Sequence, residues 1–199
     1  NLDKYVLNLD RYMSLNAVLD DINIALEKNQ ALESAFEGTD RISYIKQENE
    51  LLKQKQQALH ALNEERRKEL EEIKAYLTGQ GIQIDASNNL LNADDILRSK
   101  TVAYNSMPGG SDQEKEARKK AKDELDTLQD KIKSFVSLVH KEIPAASIEW
   151  FELATAIEKN NAEINGLIDT EQKKKEKAEE ELKQKIEKLQ KEWTDYYKD

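Results

Sequence analysis

The chain has 199 residues, 36% charged and 38% hydrophobic, with six glycines, two prolines, no cysteine and a net charge of -9 at pH 7. So few helix breakers among so many Glu, Lys, Leu, Gln and Ala favour long helices over a mixed fold, with thin apolar seams in place of a thick core. The lack of cysteine excludes a disulfide framework and a thiolate metal site, and the interleaved acidic balance argues against nucleic acid, which needs a clustered basic face. The one dense basic run, Lys173, Lys174, Lys175 and Lys177, is surrounded by Glu171, Glu176, Glu179, Glu180 and Glu181 and reads as a solvated helix face. No apolar run approaches the ~20 residues that span a bilayer, and no signal peptide is visible. The sequence opens at Asn1, already in helical pattern, which reads as a piece of a longer chain.

A first helical arm is expected over 2–36. Leu15, Leu19, Ile22 and Leu26 place one apolar stripe on it, with Leu32 and Phe36 a turn apart further on. Gly38 fits a C-terminal stop, and Thr39 or Asp40 a new N-cap. The second arm, about 40–78, has its seam at Ile42, Ile45, Leu52, Leu59, Leu62, Leu70, Ile73 and Leu77. Asn49, Gln56 and Asn63 interrupt that seam at the heptad position of Ile42, Leu70 and Leu77, where polar residues fix register at some cost in stability.

Thr78-Gly79-Gln80-Gly81 ends this arm. Ile82 and Ile84, then Leu90 and Leu91, flank Asp85-Ala86-Ser87-Asn88-Asn89, whose short polar side chains bond their own backbone and tolerate left-handed conformations. The pattern predicts a very small β-hairpin. Asn92 is the expected N-cap of a short helix, with Asp95 as its capping-box partner and Ile96, Leu97 and Tyr104 on the apolar side. Met107-Pro108-Gly109-Gly110-Ser111 breaks that helix.

The third arm, about 112–142, carries Ala117, Ala121, Leu125, Leu128, Ile132, Phe135 and Val139 at helical spacing, long enough to return alongside the second. Pro144 is expected to end or kink it. A last arm from about 146 has two seams: Trp150, Ala154, Ile157, Ile164 and Ile168, then Leu182, Ile186, Leu189, Trp193 and Tyr196. Its length calls for a coiled-coil partner.

The candidates for chemistry are few. His60 and His140 are the only histidines, expected far apart and on surface or seam positions. Asp85, Ser87 and Asn89 resemble the first half of a calcium loop, but that loop also needs a glycine after its third ligand and a glutamate at its end, where Leu90 and Ile96 stand. Gly79 and Gly81 lack the spacing of a phosphate-binding loop and read as helix termination. Trp150-Phe151 and the Trp193, Tyr196, Tyr197 cluster read as interface aromatics. Neither a catalytic residue nor a cofactor or metal site is expected.

The order of these pieces resembles a region of the tape-measure proteins of long-tailed bacteriophages. The residues that carry the resemblance are Tyr76, Leu77, Gly79, Gly81, Ile82, Ile84, Asp85, Asn89, Leu90, Asn92 and Asp94, then Ala103-Tyr104-Asn105, with Phe36-Glu37-Gly38-Thr39-Asp40-Arg41-Ile42 upstream. The similarity extends over roughly 10–140. The loop at Pro108-Gly109-Gly110 is tighter than the family's, and the apolar segments its members carry elsewhere are missing. The resemblance implies a helical ruler that sets tail-tube length during virion assembly. It would self-associate through coiled-coil seams, meet tail-tube and tail assembly proteins, and reside in a virion tail assembled in the host cytoplasm.

The expected architecture is therefore all-α: an elongated antiparallel helical hairpin or coiled-coil bundle with a small β-hairpin-like tip around 79–92. It divides into an N-terminal arm 1–38, a hairpin 39–143 with its tip at 79–111, and a long C-terminal helix 144–199. Ile82, Ile84, Leu90 and Leu91 are the candidate interaction tip. Leu59, Leu70, Ile73, Leu128, Ile132, Phe135, Leu182, Ile186, Leu189 and Trp193 are candidate seam contacts. Nucleic acid and direct membrane insertion by this segment are not expected. The rival readings are a hairpin docking module of a secretion or adaptor complex and a soluble component of an α-helical pore-forming toxin.

Overall fold

A computed structural model describes the backbone of residues 2–196 and the side chains of 12–188. Within them the chain is all-α, with helices α1 (Leu2–Glu33), α2 (Ile42–Gly79), α3 (Ala93–Asn105), α4 (Asp112–Ser137) and α5 (Ile143–Tyr196). A 3-10 turn, Gly38–Arg41, precedes α2, and a π-turn, Leu138–Glu142, joins α4 to α5. The chain divides into two compact units, each made of two stretches: Asn1–Asn16 with Ala58–Phe151, and Ala17–Gln57 with Glu152–Asp199.

The first unit holds most of the core. Leu70, Ile73 and Leu77 of α2 meet Leu128 and Phe135 of α4, Leu138 of the π-turn, Ala93 of α3, and Ile82. The two long helices run antiparallel here, since Arg66 contacts Glu142 while Tyr76, further along α2, lies near Glu124. Phe135, Leu128 and Leu77 are fully buried; each such side chain contributes about 1.5–3 kcal/mol by leaving water. Helix α3 lies against α4, where the Arg118 guanidinium sits 5.1 Å from the centre of the Tyr104 ring. Ser111 caps α4: its hydroxyl accepts from the Glu114 N–H at 3.2 Å, and the Glu114 carboxylate accepts from the Ser111 N–H at 2.8 Å. These bonds hold the Glu114 carboxyl below the usual range.

The helical path does not stop at Pro144. A proline inside an α-helix lacks the N–H that would reach the carbonyl of His140 and presses its ring against that carbonyl. The turn just before it widens to π geometry, with the Ile143 N–H donating to Leu138. The extra residue also explains the seam. Buried Leu138 and Ala146 are eight residues apart, one more than a heptad. Arg66 braces the turn from α2, its Nη1 donating to the Glu142 carbonyl at 3.2 Å and its Nε 3.4 Å from the Glu142 carboxylate.

The second unit is a thinner three-helix assembly. Ile22 and Leu26 of α1, Ile45 and Leu52 of α2, and Leu153, Ile157 and Ile164 of α5 are its buried apolar residues. Asn29 and Asn49 are buried with them, and each is partnered across helices. Asn29 donates to the Tyr44 carbonyl at 2.9 Å, and Asn49 to Asn161 Oδ1 at 3.0 Å. Glu48 accepts from Gln30 at 2.7 Å and from Asn160 at 3.0 Å, tying three helices at one level. The α1–α2 turn uses Gly38 at φ +60°, a conformation that suits glycine. Phe36 stacks on Tyr44 with centroids 4.9 Å apart, and Arg41 pairs with Glu33 and Glu163. Neither Thr39 nor Asp40 is the N-cap there; Glu37 occupies that position without a side-chain bond.

The β-hairpin expected at 79–92 does not form. Among the described residues there is no strand, only a single antiparallel bridge between Ile84 and Leu90. The ladder cannot extend because its next groups are used elsewhere. The Gln83 N–H donates to the Asn92 side chain, and Ile82 is drawn back onto the end of α2.

Candidate functional site

The segment between α2 and α3 is built from the helix end outward. Gln80 closes α2, and Gly81, at φ +86°, turns the chain. The Ile82 N–H donates to Leu77 and the Gly81 N–H to Thr78, both at 3.0 Å. This is the paired-bond helix stop with its accompanying apolar contact, here Ile82 against Leu77. Ile82 is consequently only 2% exposed.

Asp85 organises the loop tip. Its Oδ1 accepts from the Ser87 and Asn89 N–H groups at 2.9 and 2.8 Å, and its Oδ2 from the Asn89 amide at 2.9 Å. The backbone N–H of Asn89, then its side chain and the Ser87 N–H, pull the Asp85 carboxyl below its usual range. The Asn88 N–H donates to the Asp85 carbonyl at 3.0 Å, and Asn88 itself takes φ 62°, which asparagine tolerates better than most residues. With three donors on its two oxygens, this carboxylate serves a turn and not half of a calcium loop.

Asn92 is not the side-chain N-cap that its position suggests. Its Oδ1 accepts from the Gln83 N–H at 2.7 Å and its amide donates to the Gly81 carbonyl at 3.1 Å. It thus fastens the entry to α3 onto the exit from α2.

Of the four tip candidates, Ile82 is buried, and Ile84 and Leu90 are half-buried against the core as a bridged pair. Leu91 alone is open, at 61% exposure. Among the seam candidates, Leu59, Leu70, Ile73, Leu128 and Phe135 are buried and Ile132 is half-buried. Leu182 and Ile186 are exposed, at 58% and 46%. Leu189 and Trp193 lie outside the residues whose side chains are described.

One feature of the first unit went unread in the sequence. A groove of about 520 Å³ is lined by residues that include Tyr12, Arg66, Glu69, Ser134, Ser137 and Glu142. The Tyr12 hydroxyl donates to Glu69 at 3.0 Å, and the Ser137 hydroxyl to Glu142 at 2.8 Å. Burial, then the Glu69 charge, push the Tyr12 phenol well above its usual value. These carboxylates are engaged in bonds between helices. Their only advance signal was the seam-flanking placement of Arg66 and Glu69.

Both histidines are exposed. His140 lies in the π-turn two residues before Glu142, which Arg66 of α2 holds. Among the described residues no group of three or more His, Cys, Asp or Glu is placed to hold a metal. No protein-family profile, curated protein or solved structure matches the chain.

Proposed function

We propose that the chain is a structural segment of a phage tail tape-measure protein, a helical ruler acting in the tail during virion assembly. The observation that carries the reading is the conformational work done by the residues of the resemblance. Leu77, Gly81 and Ile82 make the helix stop, Asp85 and Asn89 hold the turn, Ile84 and Leu90 bridge, and Asn92 locks the two helix ends. A second support is the economy of the fold, in which long helices share narrow seams and give a fixed length per residue. Its partners in this reading are further copies of itself, tube proteins and assembly factors, with neither nucleic acid nor cofactor.

The docking-module reading has less to stand on, because one of its four apolar tip residues is buried and two are half-buried against the core. The toxin reading lacks its main requirement in this segment: among the described residues no helix is long and apolar enough to cross a membrane.

The test is tail length. In a phage whose tail gene encodes this sequence, three extra copies of residues 168–188 add on the order of 95 Å of helix at about 1.5 Å per residue. Electron microscopy is expected to show tails lengthened by a matching whole number of tube rings. Tails of unchanged length would overturn the ruler.

A further inference from the structure

We infer that residues 168–188 of α5 pair with the same stretch of a second copy as an antiparallel coiled coil. Every described side chain from 172 to 188 is exposed, and Ile168 is 45% exposed. Yet Ile168, Gln172, Lys175, Glu179, Leu182 and Ile186 follow each other at 4-3-4-3-4 spacing on one helix face.

The charges on and beside that face choose both the partner and its direction. In a parallel, in-register pair, Lys175 would meet Lys175 and Glu179 would meet Glu179 inside the seam, while Glu171 would flank Glu176 of the other copy. Like charges so placed oppose association. Reversing one copy, with Ile168 level with Ile186 of the other, replaces these contacts with opposite pairs. Lys175 then faces Glu179, Leu182 lies over Gln172, Lys183 flanks Asp169, and Lys185 flanks Glu171, each occurring twice about the two-fold axis. The single like-charge approach left is Glu176 across the axis. Of these two pairings only the reversed one is self-complementary, and a second copy of this chain is the occupant.

This inference does not rest on the ruler reading. Copies laid along a tube run in one direction, so the antiparallel pair is a form of the free chain.

The chain has no cysteine, which makes disulfide mapping direct. Sedimentation equilibrium of the 199-residue chain is expected to show a dimer. Oxidising the Ile168→Cys/Ile186→Cys variant should link copies through 168 to 186, identified by peptide mass, whereas Leu182→Cys alone should link poorly. Glu179→Lys should weaken the dimer at least about tenfold, and adding Lys175→Glu should restore it. These positions are exposed, and circular dichroism checks that each variant remains folded. A chain that stays monomeric up to about 1 mM, efficient linkage through Leu182→Cys, or failure of the charge swap to rescue would each overturn the antiparallel pair. The tail-length result is unaffected by any of them.

Discussion

Asp85 illustrates how a single side chain can set a local structure. Its carboxyl is depressed by hydrogen bonds that exist only in the folded tip, so it stabilises the fold at pH values above the ordinary carboxylate range, about 4. That contribution is lost as pH falls through its lowered folded value. Asp85→Ala is therefore expected to melt at lower temperature than the parent at pH 7, with the gap narrowing in acid. A gap independent of pH would show that the carboxylate is not what holds the turn. At Gly81 the conformation is the constraint, because an added Cβ would meet only Ile96 Cδ1, at 3.8 Å. Gly81→Ala should cost about 1 kcal/mol from backbone strain, read by urea denaturation. Phe135→Ala, which empties a fully buried site, should cost about 3–5 kcal/mol. Residue types announced much of this: the Gly81 stop and the Asp85 turn were legible from the sequence. The role of Asn92 was not, because cap propensity cannot foresee that a side chain will reach across to Gln83 and Gly81.

For the helices, periodicity located the seam of α2 along its length and that of α4 from Leu125 onward, whereas Ala117, at the same spacing, is exposed because the first half of α4 buries no side chain. It did not reveal the π-turn, although the signal was present as the eight-residue step from Leu138 to Ala146. A proline two residues before that alanine suggested a stop or a kink instead. The wider turn answers both the missing donor and the odd spacing, which gives a sharp test. Deleting exposed Lys141 removes the extra residue and leaves Pro144 in a straight helix, which should cost about 3 kcal/mol. Adding Pro144→Ala should recover most of that loss, because an unbroken α-helix then spaces Leu138 and Ala146 by a heptad. No recovery would mean that the π-turn matters for another reason. The Ser111–Glu114 box was readable as Ser-x-x-Glu before a helical run but was masked by the stronger break at Pro108-Gly109-Gly110. The hairpin forecast failed for a different reason: alternating apolar residues were present, but their backbone groups were recruited by Asn92 and the end of α2.

At the scale of the molecule, burial is unevenly distributed. Of the largest fully buried side chains among the described residues, Phe135, Ile73, Leu77, Ile82 and Leu128 belong to the first unit and only Ile45 to the second. Hydrogen exchange should follow this order. Amides of 70–77 in α2 and of 125–135 in α4 are expected to exchange slowest, those of the second unit faster, and those of 172–188 fastest under dilute, monomeric conditions. Uniform protection across the three regions would contradict the picture. The same imbalance has a mechanical meaning. A pull on the chain would first part the helices held by asparagines and a few aliphatic contacts, lengthening the molecule in a short step, while the cluster around Phe135 yielded only at higher load.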